Sequence, residues 1–260
     1  MVELERVSYR AGEVRILDDV SVRFAPCRLS VVLGRNSAGK SALLRLPTGI
    51  MRPTAGVVSY DGQPVRALEP EPLARRRAVL SQHVELAFAL PVADVVMMGR
   101  YPHYGRVPSA RDRSIVASAL ELVGMEHKRD QAYPTLSGGE RQKVQLARVL
   151  AQIWSDDKSE HRYLFLDEPT SGLDVHYQLH ILQVARGLLS PACTVVAVLH
   201  DLNVAFEYGD HFVLLENGRI AVEAERSADI SAEIIERVFR VRARRVRSTD
   251  DAGDYWRFDL

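Results

Sequence analysis

Cysteine is scarce: two residues in 260, Cys27 and Cys193, are too few for a disulfide framework. Both read as small buried hydrophobes in a reducing compartment. No run of roughly 18 apolar residues occurs, so no segment is expected to cross a bilayer as a helix. The opening stretch MVELERVSYR lacks the apolar core of a secretory signal, so the chain is expected to stay in the compartment where it is made. An excess of charge is missing too. Lys plus Arg number 34 and Asp plus Glu number 34, a balance that argues against a dedicated nucleic-acid binder. The basic clusters ARRR at 74–77 and RARRVR at 242–247 are short and read as solvated faces. Internal repeats and low-complexity segments are absent. The 47% hydrophobic and 26% charged residues are those of an ordinary globular chain.

What is present begins with short strands and turns. ELERVSYR, VRILDDVSVRF, RLSVVLG and GVVSYDG alternate or run apolar, and the last ends in an Asp-Gly turn. Between 86 and 159 the periodicity changes: RDRSIVASALELVGM and GGERQKVQLARVLAQIW have helical spacing, so this section reads as a helical insertion. The polar stretch SDDKSEHR then leads to the apolar strands YLFLDEP and CTVVAVLHD, with the helical VHYQLHILQVARGLL between them. Strand–helix–strand alternation with wholly apolar strands implies a parallel sheet covered on both faces. The last thirty residues, from SAEIIERVF onward, read as a small helix and strands that finish the fold.

The chemistry starts at GRNSAGKSA. Its spacing, G-x-x-x-x-G-K-S between a strand and a helix, is that of a loop whose amides cradle phosphates. Gly34, Asn36, Ser37, Ala38, Gly39, Lys40, Ser41 and Ala42 form that candidate cradle, with Lys40 as a point charge and the Ser41 hydroxyl as a Mg²⁺ ligand. Asp167 and Glu168 stand at the carboxyl end of YLFLD, where open α/β sheets bind ligands. An Asp there can hold Mg²⁺, and the adjacent Glu can orient and deprotonate an attacking water; the alternative is an acidic helix cap. His200 ends TVVAVLH as a donor to a γ-phosphate, against the plainer alternative of a core or capping histidine. LSGGERQ supplies a second Gly-rich helix start. One nucleotide needs only one phosphate loop, so Ser137, Gly138 and Gly139 are expected to close over ATP held by the loop of a second copy in a head-to-tail homodimer.

GRNSAGKS, SQH, LSGGERQ, YLFLDEP, SGLD and LHD, in that order and from end to end, resemble the ATP-binding subunits of ABC transporters. The resemblance implies a P-loop nucleotide-binding α/β domain with an N-terminal antiparallel β layer and an inserted helical subdomain. Residues 1–85 and 160–260 would form the core and 86–159 the insertion. It implies ATP and Mg²⁺ as cofactors, Gln82 as the loop glutamine that touches the metal and links ATP to a membrane partner, and Asp174 facing the opposite subunit. Tyr9 matches the aromatic that stacks on adenine, a role Arg15 could also fill. Two positions depart from the family pattern. Ser37 stands where Gly is usual, at small cost if its φ is negative and more if positive; Ala42 replaces a hydroxyl residue and keeps only its backbone N–H.

The segment AVLSQHVELAFALPVADVVMMGRYPHYGR resembles the ATPases of iron–siderophore, cobalamin and heme importers, and the connection RVLAQIWSDDKSEHRYLFLDEPTSGLD is most similar to the heme (hemin) import ATPases. By that likeness the partners are two copies of a permease and, indirectly, a periplasmic heme-binding protein, with the subunit peripheral on the cytoplasmic face of the inner cell membrane. Met97, Met98, His103 and Tyr104 are iron-ligating residue types, but methionines on an apolar helix read as packing and this face as permease-facing. The remaining readings are the same role for a siderophore or cobalamin importer, or a non-transport ABC ATPase acting on ribosomes or DNA. Paired cassettes or long coiled-coil insertions, typical of the latter, are absent here.

Overall fold

The computed structural model describes residues 1–81, 89–157, 159–170, 173–246 and 255–259. In chain order the strands and helices are β1 (Val2–Ala11), β2 (Val14–Phe24), β3 (Leu29–Gly34), α1 (Lys40–Arg45), β4 (Ala55–Tyr60), β5 (Gln63–Pro64), α2 (Pro70–Arg76), β6 (Arg77–Leu80), α3 (Val92–Met97), α4 (Ala110–Leu122) and α5 (Gly138–Gln152). They continue with β7 (Arg162–Asp167), α6 (Val175–Gly187), β8 (Cys193–Val198), α7 (Leu202–Tyr208), β9 (His211–Glu216), β10 (Arg219–Ala224), α8 (Ala232–Phe239), β11 (Arg242–Val246) and β12 (Tyr255–Asp259). The chain divides into two compact units, Met1–Arg66 with Val196–Leu260, and Ala67–Val195, with β8 running across the division.

The first unit contains the antiparallel layer. Its strands are ordered β2-β1-β4-β5, with β1 paired to β2 from Val2↔Phe24 to Ala11↔Val14. Alternation explains the register: Val2, Leu4, Val7, Val20, Val22 and Phe24 are all buried. The Asp61–Gly62 turn has φ of 50° and 80°, the left-handed pair that a two-residue hairpin of right-handed twist requires. A second sheet in this unit joins β3, whose six residues are all buried, in parallel to β9, and β9 antiparallel to β10 through an Asn217–Gly218 turn with φ of 50° and 78°. Strands buried on both faces read as unbroken apolar runs, which is how VVL and FVLL appear in the sequence. The C-terminal β11–β12 hairpin is tied to α7 at Asn203, whose side-chain amide donates to Trp256 O (3.0 Å) and accepts from Trp256 N (2.7 Å).

The second unit is mainly helical, with β6 parallel to β7 in register from Arg77↔Tyr163 to Leu80↔Leu166. GRYPH forms the 3-10 segment Met98–His103 and ties the helices together. A Cβ on Gly99 would stand 2.1 Å from Arg148 O, so only glycine lets this segment lie on α5. The buried Arg100 guanidinium donates to Asp112 Oδ1 (3.0 Å) and Ala151 O (2.7 Å), and His103 Nε2 donates to Gln152 O (2.7 Å). Asp112 also completes a capping box with Ser109 at the start of α4. A charge as deeply buried as Arg100 is stabilised by this full set of partners.

One expectation is corrected. Cys27 is exposed, in a turn with φ of 62°, whereas Cys193 is buried at the start of β8, where desolvation pushes its thiol up to about 11. Cys27 follows Pro26 in the β2–β3 connection, a turn outside both strands that leaves the side chain in solvent. Among the described residues, no helix is long and apolar enough to cross a membrane.

Candidate functional site

In the first unit β3 delivers the chain to Gly34, at φ 147°, where a Cβ would stand 2.5 Å from Leu215 O of β9. Residues 35–37 are exposed, and the loop then turns back under Ala38 N→Arg35 O (3.1 Å). Ser37 has φ 65° and Gly39 φ 101°. Ser37 therefore occupies the costly alternative of the two foreseen for it, since a non-glycine residue held left-handed loses on the order of 1 kcal/mol. A Cβ on Gly39 would meet Ile16 O and Leu17 Cδ2, both at 2.8 Å.

Helix α1 starts from Gly39 without any side-chain cap. The Lys40 side chain is buried and folds back over its own loop, its ammonium donating to Gly34 O (2.8 Å) and Arg35 O (3.0 Å). Ser41 and Ala42, in the first turn, are half-buried. The helix is short, ending at Arg45 with Leu46 and Pro47 behind it. Tyr9 on β1 is half-buried opposite Leu17, while Arg15 is exposed and its guanidinium is taken by Asp18 Oδ1 (2.9 Å). His200 is exposed just beyond β8. It is neither a core nor a capping histidine: the cap of α7 is Asp201, which accepts from Asn203 N (2.8 Å) and Val204 N (3.0 Å).

In the second unit Asp167 is the buried last residue of β7, and Glu168 follows with φ 53°. Neither caps a helix. That task falls to Asp174, whose Oδ1 accepts from Tyr177 N (3.0 Å) at the start of α6. Ser137 begins α5 with a full capping box: its hydroxyl accepts from Glu140 N (3.3 Å), and Glu140 Oε2 accepts from Ser137 N (2.9 Å). The Lys128 ammonium beside Glu140, helped by the Ser137 donors, holds that carboxyl down at about 2. Among the described residues, a Cβ at Gly138 would meet nothing within 4 Å, and one at Gly139 only Leu173 Cδ2 at 3.4 Å. Packing against the described residues therefore does not demand these glycines. Gln82 lies outside the described residues, as do Ser171 and Gly172 of SGLD.

The second unit also has a polar cavity of about 300 Å³ bordered by Arg75, Arg100, His103, Arg111, Trp154 and Glu160. Its floor is the Arg100–His103 network, which the motif GRYPH announced only as a likeness and whose packing role no local pattern betrays. Of the four iron-ligating residue types noted there, His103 is committed to Gln152 O, burial pushes its imidazole below the usual range, and Met97 and Met98 are half-buried.

Sequence and fold comparisons bear on the family and the fold. Residues 17–171, more than half the chain, match the family described as ABC transporter. The hemin import ATP-binding protein HmuV of Gloeobacter violaceus is 42% identical over 239 residues, covering 92% of this chain and 87% of that one. An ABC transporter solved in an inward-facing conformation and described as of metal-chelate type has the same fold, with a TM-score of 0.82, 24% identity and coverage of 99% of this chain and 95% of that one. A dimeric ATP-binding cassette in a post-hydrolysis state, bound to ADP and Pi, matches with a TM-score of 0.74 and 25% identity, over 86% of this chain and 98% of that one. A glycine loop drawn back around a buried lysine, a second capped glycine turn and these likenesses lead to one conclusion: the chain belongs to the nucleotide-binding ATPases of the ABC transporter family.

Proposed function

We propose that this chain is the ATP-hydrolysing subunit that powers a membrane permease importing heme. The observation that carries the reading is the 42% identity to a hemin import ATP-binding protein along nearly the whole of both chains. LSGGERQ and YLFLDEP are present here, and GRNSAGKS keeps Gly34, Gly39, Lys40 and Ser41 while Ser37 departs from the usual glycine. In this reading the chain is one ATPase domain, with 1–85 and 160–260 as nucleotide-binding core and 86–159 as the helical insertion.

Lys40 trades its two carbonyl partners for phosphate oxygens, a stronger charge-assisted contact. Ser41 and Asp167 offer the hard oxygen donors that Mg²⁺ takes, with Gln82 as a further oxygen donor. A Mg²⁺ held by these residues would supply positive charge to offset that of the phosphates. Glu168 accepts the proton of the attacking water, and His200 donates to the γ-phosphate. Gly34, Asn36, Ser37, Ala38, Gly39 and Ala42 present backbone amides to the phosphates, and Tyr9 stacks on the base. Ser137, Gly138 and Gly139 of one copy close over the nucleotide of the other, with Asp174 at the same contact. The working assembly is a homodimer on two permease subunits at the cytoplasmic face of the inner membrane, fed by a periplasmic heme-binding protein.

The test is reconstitution with the permease. Turnover is expected to rise on adding a heme-loaded binding protein, and labelled heme to accumulate in vesicles only when ATP is on this subunit's side. Stimulation by a cobalamin- or siderophore-loaded binding protein, and not by the heme-loaded one, would overturn the cargo while leaving the ATPase reading in place.

A further inference from the structure

The Asn217–Gly218 turn between β9 and β10 does more than join two strands. Gly218 is buried, and its N–H donates to Ala38 O inside the phosphate loop (3.2 Å). Its carbonyl accepts from Asp18 N on β2 (2.9 Å). A Cβ on Gly218 would stand 2.5 Å from Ile16 O, and Ile16 O is also the atom that a Cβ on Gly39 would strike at 2.8 Å. One stretch of β2, Ile16–Asp18, is thus pressed against the loop and the turn together. Asp18 then closes the arrangement with its side chain: Oδ2 accepts from Arg219 Nε (2.9 Å) and Nη2 (2.6 Å), and Oδ1 from Arg15 Nη1 (2.9 Å). Its carboxylate is held below the usual range by Arg219 first and Arg15 second.

We infer that the Asn217–Gly218 turn, with Asp18 and Arg219, is a brace that fixes the phosphate loop against the strand pair bearing Tyr9 and Arg15, making Gly218 and Asp18 positioning residues for nucleotide binding. The brace sets the distance between the phosphate end of the site and its base end, through the hydrogen-bonded path Ala38–Gly218–Asp18–Arg15. The loop needs such support because it is drawn in strained form, with Ser37 left-handed and α1 only six residues long. Neither element has the intrinsic stability to hold its own shape. This inference rests on the nucleotide-binding reading above.

The experiment is steady-state ATPase kinetics and ATP affinity by calorimetry on the full chain. Gly218→Ala forces either the turn or Ile16 to move, and is expected to raise KM and Kd for ATP about tenfold while kcat stays within about twofold, a loss of roughly 1.4 kcal/mol in binding. Arg219→Ala, at a side chain 70% exposed that leaves folding intact, is expected to raise both about threefold, with Arg219→Lys restoring part of the loss. Arg226→Ala breaks a comparable surface pair with Asp229 in the same unit and is expected to change neither constant. Unchanged KM in Arg219→Ala, or a fall in kcat that tracks melting temperature with KM constant, overturns the brace. A wild-type chain that binds no ATP overturns the functional reading and the brace with it.

Discussion

Helix α1 leaves a Gly39 at φ 101° with no side-chain cap, its lysine curled over the preceding carbonyls, whereas α5 leaves a Ser137 that caps it reciprocally with Glu140. Both are glycine turns at helix starts, and by spacing alone they look like two versions of one device. Their local chemistry is opposite. The first is short and strained, and it leans on β2 and the β9–β10 turn for its shape. The second is complete in itself: fifteen residues of helix, a satisfied cap, and glycines that none of the described residues crowds. A strained, externally braced loop is suited to being organised by a ligand, and a self-sufficient turn to being offered, rigid, to a ligand held elsewhere. The difference supports the division of labour proposed above, in which one copy holds ATP and another covers it.

The largest effect that would break this contrast belongs to Lys40. If its ammonium leaves Gly34 O and Arg35 O for phosphate, Lys40→Ala is expected to lower kcat by about 10²–10³. Loss of the two loop contacts should cost little stability, so the melting curve is the control. Turnover like that of wild type would take Lys40 out of the mechanism.

The second turn sharpens the contrast through pH. Glu140 has its carboxyl depressed from 4.5 to about 2, chiefly by Lys128 and then by the Ser137 donors, so the ion pair and the capping box together stabilise fully above the unfolded value and are lost as pH falls through that interval. Glu140→Gln is expected to lower the melting temperature at neutral pH by a few degrees, from a cap worth about 1 kcal/mol. The gap between wild type and variant should close as the pH is lowered from 5 toward 2. A gap that does not narrow would mean that the carboxylate's charge, held by Lys128 and the Ser137 donors, contributes nothing to stability here.

Ser37 gives the smallest effect. Ser37→Gly is expected to stabilise the chain by at most about 1 kcal/mol, the relief of left-handed strain less glycine's added chain entropy. Destabilisation, read from urea unfolding, would show that the Ser37 side chain contributes more than its φ costs.

Much of the fold is legible in the sequence. The all-apolar runs of β3, β7 and β8, the Asp-Gly hairpin turn and the helical periods of α4 and α5 each depend on residues close in sequence. What local pattern could not supply came from distant pairs. The need for glycine at positions 34 and 39 comes from Leu215 and Ile16, which lie far away in sequence, and neither the left-handed φ of Ser37 nor the exposure of Cys27 is marked by its neighbours in the chain. The reason GRYPH contains its glycine, arginine and histidine lies some fifty residues on, at Arg148, Ala151 and Gln152. Asp174 and Asp201 as the real caps, in place of Asp167, Glu168 or His200, follow from where each strand ends and how far the next helix stands from it.

The most direct test of the central contrast is the state of association of Glu168→Gln with and without ATP and Mg²⁺, measured by gel filtration coupled to light scattering. The substitution keeps the shape of Glu168 but removes the proton acceptor, so ATP should bind and persist. Gly138→Asp added to it is a selective probe: a Cβ there meets none of the described residues within 4 Å, and a carboxylate in a first helical turn suits the helix, yet it repels a phosphate. The account predicts a dimer that forms only with ATP in Glu168→Gln and is lost in the double variant. A nucleotide-bound monomer, or a dimer indifferent to Gly138→Asp, would contradict it.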